Sequence, residues 1–151
     1  MKLRGISLIE LITVIAIILI LSSVSLVVWQ THASSLRLTL STRKIIGDLR
    51  QAQAQSVAEQ IPYLIRFDKE SDTYKYICLI PDPDNPGQTI EEEIRQEDLY
   101  SKIQITEIND LDDDQVKFNA AGAPSDTGTI ELKNEKEKIK IIEIKPSGYV
   151  K

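Results

Sequence analysis

From Leu11 to Gln30 the chain carries no charged side chain, and Glu10 stands at the edge of this run. Twenty such residues wound as a helix match the ~30 Å apolar core of a bilayer at ~1.5 Å per residue. Lys2 and Arg4 precede the run. The positive-inside rule therefore places the N-terminus in the cytoplasm and residue 31 onward outside, with Trp29 suited to the far interface. A carboxylate in such a segment is costly unless neutralised or paired, so Glu10 asks for a function.

Two ordinary accounts leave something over. A secretory signal peptide has a shorter apolar core followed by a small-x-small cleavage site; here only Ser23-Val24-Ser25 approximates one. A plain membrane anchor accounts for the length and for Trp29, but not for an acidic residue five positions past Gly5. A snorkelling carboxylate near the helix end is the bland alternative for Glu10.

Arg4-Gly5-Ile6-Ser7-Leu8-Ile9-Glu10-Leu11 resembles the leader and cleavage site of type IV prepilins and pseudopilins. That resemblance implies cleavage by a prepilin peptidase between Gly5 and Ile6, N-methylation of the new amine on Ile6, and subunit assembly through Glu10. Glu10 becomes the fifth mature residue and pairs with the N-terminal amine of a neighbouring subunit. Ile6 stands where phenylalanine is commonest and Ser7 where threonine is usual, both mild departures. The implied segments are a cleaved leader 1–5, a transmembrane and filament-core helix 6–30, an amphipathic helix 31–60 and a β-rich globular domain 61–151.

The helix pattern continues past Trp29 to about Glu59, with no proline and only Gly47. Leu36, Leu40, Ile45, Leu49, Ala52 and Val57 recur at spacings of three to five and predict the stripe that faces the domain. Arg37, Arg43, Lys44 and Arg50 predict a solvated basic face. Without the kinking proline of many major pilins, the membrane half is expected to be straight. Pro62 predicts the helix stop.

Beyond it, alternation predicts strands at 61–67 and 74–80 joined by the turn Lys69-Glu70-Ser71-Asp72, and further strands at 89–95, 102–108, 115–119, 128–133, 138–144 and 147–150. Pro81 to Gly87 and Asn119 to Thr127 predict loops. The fold class is α+β: a long N-terminal helix, half membrane and half amphipathic, packed on a mostly antiparallel β-sheet domain.

The last third adds a looser resemblance. Val116-Lys117-Phe118-Asn119-Ala120-Ala121-Gly122-Ala123-Pro124, then Gly128-Thr129-Ile130-Glu131-Leu132, then Ile141-Ile142 to Pro146-Ser147-Gly148-Tyr149-Val150 looks like the end of minor pseudopilins of the GspH/FimT type. The implied function is a minor pseudopilin or pilin subunit of a type II secretion pseudopilus or a type IV pilus. The implied partners are other pilins or pseudopilins, the prepilin peptidase, assembly-platform proteins and the inner membrane, with the C-terminal domain periplasmic or extracellular. The alternative from the same resemblance is a FimT-like DNA-binding minor pilin for DNA uptake. Those members use a Gly-Arg-rich tail, whereas Ser147-Gly148-Tyr149-Val150-Lys151 has one lysine and no arginine.

Charge weighs the same way. Removing Lys2, Arg4 and Glu10 from 18 basic and 23 acidic residues leaves 16 and 22 in 31–151, a net charge of −6. An acidic domain repels nucleic acid at long range. The sequence contains no Gly-rich phosphate loop and no paired-histidine motif. One cysteine, Cys78, and one histidine, His32, make neither a disulfide framework nor a zinc site. Cys78 reads as a buried core thiol. No cofactor and no enzymatic activity are expected. Asp110 with Asp112-Asp113-Asp114, and Asp82 with Asp84, invite a calcium hypothesis but read as solvated acidic turns. Glu91-Glu92-Glu93 reads as a solvated edge that discourages strand pairing.

Overall fold

The computed structural model describes residues 7–148 and 150, and for 23–31 the backbone alone. A single helix, α1, runs unbroken from Leu8 to Glu59, about 80 Å at ~1.5 Å per residue. Ser7 caps its start, its hydroxyl accepting from the Glu10 N–H at 3.3 Å. Its end is closed by Gln60 in the left-handed region, whose side chain donates to the Val57 carbonyl at 2.7 Å. This cap uses a side-chain amide where glycine is commonest.

Seven strands follow: β1 (Tyr63–Asp68), β2 (Thr73–Pro81), β3 (Thr89–Asp98), β4 (Ile103–Asn109), β5 (Gln115–Phe118), β6 (Gly128–Asn134) and β7 (Ile139–Ile144). They form two sheets, β3-β2-β1-β5 and β4-β6-β7, and every pairing is antiparallel. The α+β expectation and the β1–β2 hairpin hold. The predicted strand 147–150 contributes one isolated bridge, Val150 to Ile144, and Tyr149 lies outside the described residues. Pro146 and the left-handed Gly148 interrupt the extended backbone that a continuous strand needs.

The helix presents one face to both sheets. Leu38, Ile45, Leu49 and Ala52 join Tyr63, Ile65, Phe67, Tyr74 and Tyr76 from the first sheet, and Ile103, Ile105, Ile130, Leu132, Ile142 and Ile144 from the second, in one core. The expected stripe is therefore only half right. Ile45, Leu49 and Ala52 are buried, but Leu36, Leu40 and Val57 are 58%, 37% and 46% exposed. Leu36 lies nine residues from Ile45, or half a turn out of phase at ~100° per residue, so the two cannot share a face. The positions in phase are Ser34, Ser41, Thr42 and Ser56, all buried. Thr42 and Ser56 return their hydroxyls to the helix carbonyls of Leu38 and Gln53 at 2.7 and 2.8 Å, which satisfies them without a partner in the core.

The basic face is also not simply solvated. Lys44 pairs with Glu97 of β3 at 2.7 Å. Arg50 donates to the Val150 carbonyl at 3.0 Å. Asp48 receives Arg95 of β3 at 2.7 Å and the Tyr74 hydroxyl, while Arg95 stacks over the Tyr76 ring. These contacts hold the edge strand β3 and the chain end against the helix.

Candidate functional site: the projecting helix and its first turn

The N-terminal part of α1 leaves its described side chains uncovered. Every large apolar side chain described there, from Leu8 to Leu21, is between 48% and 77% exposed. Such a continuous apolar surface is far larger than a folded domain leaves uncovered without a partner or a membrane. Its hydroxyls are already hidden: Thr13 and Ser22 donate to the carbonyls of Ile9 and Ile18 at 2.7 Å each. That is how a helix carries polar side chains through an apolar surrounding.

Among the described residues no helix is long and apolar enough to cross a membrane. The described apolar side chains stop at Ser22, and residues 23–31, which include Trp29, continue the run in sequence outside them. Gly5 and Ile6, the expected cleavage and methylation positions, also lie outside the described residues. Glu10 is described. It is exposed in the first turn of α1, next to the Ser7 cap.

Sequence reasoning missed that Ser7-Leu8-Ile9-Glu10 has the spacing of a capping box, Ser at the N-cap and Glu three residues on. The Glu10 side chain therefore stands in the first turn, beside the helix N-terminus. The cap lies on the C-terminal side of Gly5, so removal of residues 1–5 would leave it intact.

The other candidates resolve as local structure. Cys78 is buried, and burial pushes its thiol up, with the Glu92 carboxylate adding to the effect. Asp112–Asp114 form a short 3-10 turn leading into β5, with Asp114 paired to Lys69 at 3.3 Å. Asp82 accepts from the Asp84 N–H and the Asn85 amide, both at 2.9 Å. Among the described residues no three His, Cys, Asp or Glu side chains gather to hold a metal. Glu91 and Glu93 lie on the edge strand β3 and pair with Arg66 and Lys75. They roof Leu64, Ile77 and Leu79 on the outer face of the first sheet, a small buried cluster of its own.

Two glycines of the C-terminal third meet at one place. Gly122 and Gly148 both have positive φ, +78° and +74°. Gln53 of the helix donates to the Gly122 carbonyl at 2.8 Å. A Cβ on Gly148 would fall 2.1 Å from the Gln53 amide nitrogen and 3.1 Å from the Gly122 carbonyl oxygen. The two motifs clasp one helix side chain and close the domain onto α1.

Residues 41–148 match the family model described as Type II transport protein GspH. The chain belongs to this family. It is similar in structure to the minor pseudopilin EpsH from the type 2 secretion system of Vibrio cholerae, with a TM-score of 0.58 and 12% identity, covering 76% of this chain and 94% of that one. It is likewise similar to the type IV minor pilin FimU of Pseudomonas aeruginosa (strain PAO1), with a TM-score of 0.57 and 12% identity, covering 80% of this chain and 90% of that one. At such identity the likeness is one of fold. No curated protein sequence matches the chain. The family match begins at residue 41, so Gly5, Ile6 and Glu10 rest on their own chemistry.

Proposed function

We propose that this chain is a minor pseudopilin or pilin subunit, a structural component rather than an enzyme. In this account the precursor enters the inner membrane with its N-terminus cytoplasmic and its C-terminal domain periplasmic or extracellular. A prepilin peptidase removes residues 1–5, and Ile6 is N-methylated. An assembly platform then lifts the helix out of the lipid into a type II secretion pseudopilus or a type IV pilus. The observation that carries this reading is the projecting helix, whose described large apolar side chains from Leu8 to Leu21 all stand exposed.

Glu10 supplies the registration. Once drawn into an apolar filament core, its carboxylate needs a cation, and cleavage creates one on Ile6 while removing Lys2 and Arg4. The segments follow: leader 1–5, membrane and core helix 6–30, amphipathic helix 31–60, globular domain 61–151. The acidic domain favours this reading over the DNA-binding alternative.

The test is co-assembly. Glu10→Gln, purified from membranes, should keep the wild-type circular dichroism but fail to co-purify with filament subunits. Wild-type recovery of filaments with the variant would overturn the role of Glu10.

A further inference from the structure

The lower end of the β domain, nearest the apolar run, is built from the β6–β7 turn and the residues that precede β4. Lys138 donates to the Ser35 hydroxyl at 3.3 Å, and Lys102 pairs with Glu135 at 2.6 Å. Arg37 and Lys136 lie close enough to add to the field that Lys102 exerts on Glu135, whose carboxyl is held below its usual range. The turn is fixed. Asn134 is buried, and its side-chain oxygen accepts from the N–H groups of Lys136 and Lys138, both at 3.0 Å.

This rim holds five cations, Arg37, Lys102, Lys133, Lys136 and Lys138, against two carboxylates, Glu135 and Glu137. Each of those carboxylates is engaged by a rim lysine. The excess is positive on a soluble part, 31–151, whose net charge is −6. Acidic residues lie higher along α1: Glu97 and the Asp98 carbonyl meet Lys44, nine residues beyond Ser35. The Leu79 N–H bonds the Pro62 carbonyl at 2.9 Å, which sets the end of β2, and with it Asp82, Asp84 and Glu91 to Glu93, beside the far end of the helix. The basic rim, bonded at Ser35, is therefore the part of the domain nearest the membrane run.

We infer that this basic rim docks on the phosphate groups of anionic lipids while the subunit is stored in the membrane. The inference rests on the proposal that the apolar run lies in the bilayer. Ser35 is then five residues beyond Gln30, about 7.5 Å along the axis, so the lysines of the turn stand within the ~8–10 Å Debye length of a charged surface. Ile139, which directly follows Lys138, is half exposed and suits the interfacial zone. Attraction at the rim turns the domain rim-down. The docked rim holds the domain in one orientation before extraction.

The experiment uses the full chain, labelled with a fluorophore at Ser101→Cys, an exposed position beside Lys102. The native Cys78 is buried and takes no label. The protein is reconstituted into vesicles of phosphatidylcholine alone or with one-third phosphatidylglycerol, and energy transfer to a headgroup-labelled lipid is measured. Flotation with both vesicle types tests the membrane reading separately. The expected result is stronger transfer in the anionic vesicles. High salt should abolish the difference, and each of K102Q, K136Q and K138Q should weaken it about fivefold in docked-to-undocked ratio. Equal transfer in both lipids with normal flotation overturns the docking and leaves the membrane reading standing. Failure to float overturns both. Lipid-independent transfer accompanied by lysine-dependent self-association overturns it in favour of an acidic protein surface.

Discussion

Substituting Gly148 by alanine tests the clasp that closes the domain onto its helix. The backbone there is left-handed, φ +74°, which costs a residue with a Cβ about 1–2 kcal/mol. The new Cβ would also lie 2.1 Å from the Gln53 amide nitrogen, so the side chain must leave. Its hydrogen bond to the Gly122 carbonyl at 2.8 Å goes with it, another ~1 kcal/mol. Gly148→Ala should therefore destabilise by about 2–3 kcal/mol in total. Gln53→Ala alone should cost ~1 kcal/mol. Because the alanine has already expelled Gln53, the double variant should cost about what Gly148→Ala costs alone, falling short of the sum by ~1 kcal/mol. Urea unfolding of the detergent-solubilised chain, followed by circular dichroism, measures all three. Strict additivity, or a Gly148→Ala variant within ~0.5 kcal/mol of wild type, would refute the reasoning.

Leu49→Ala, at a fully buried position between helix and sheets, should cost ~2–5 kcal/mol in the same assay, whereas Leu36→Ala on the outward face should stay within ~0.5 kcal/mol. Burial pushes the Tyr76 hydroxyl up to about 12. Its contribution is thus complete below the unfolded value of 10.0 and lost as pH rises through about 12. Tyr76→Phe should flatten the alkaline unfolding profile in that window, read by tyrosinate absorbance alongside circular dichroism. Lys44 holds the Glu97 carboxyl below its ordinary value of 4.5. Stability from this pair is therefore present above that value and falls as pH drops below it, and Lys44→Gln should shrink the acid-side loss in a pH series of urea midpoints.

The α+β architecture was legible because its two periodicities are local. The helix shows no proline from Leu8 to Glu59, and the strands alternate cleanly at Tyr63, Ile65, Phe67 and Tyr74, Tyr76, Cys78. The helix face was not legible from apolar spacing, because the sheets approach closely over small hydroxyl residues. Ser34, Ser41 and Ser56 occupy in-phase positions that a hydrophobic count passes over, while Leu36 and Leu40 face outward. The roles of Lys44 and Arg50 were equally hidden, since their partners Glu97 and Val150 are 53 and 100 residues away. Glu10 stood out as a charge at the edge of an apolar run. The Ser7 cap beside it was present as a spacing, Ser-x-x-Glu, that a search for membrane features does not ask about. The basic rim draws on three separate stretches of chain, around Arg37, Lys102 and Lys133–Lys138, and only the fold brings them together.

The central claim is a processed subunit whose new N-terminus serves Glu10. Its most direct test is the intact mass of the protein extracted from membranes of cells with and without a prepilin peptidase. The account predicts a chain beginning at Ile6 and carrying one added methyl group when the peptidase is present, and the full-length chain when it is absent. A full-length mass in both would contradict the account and leave a static membrane anchor in its place.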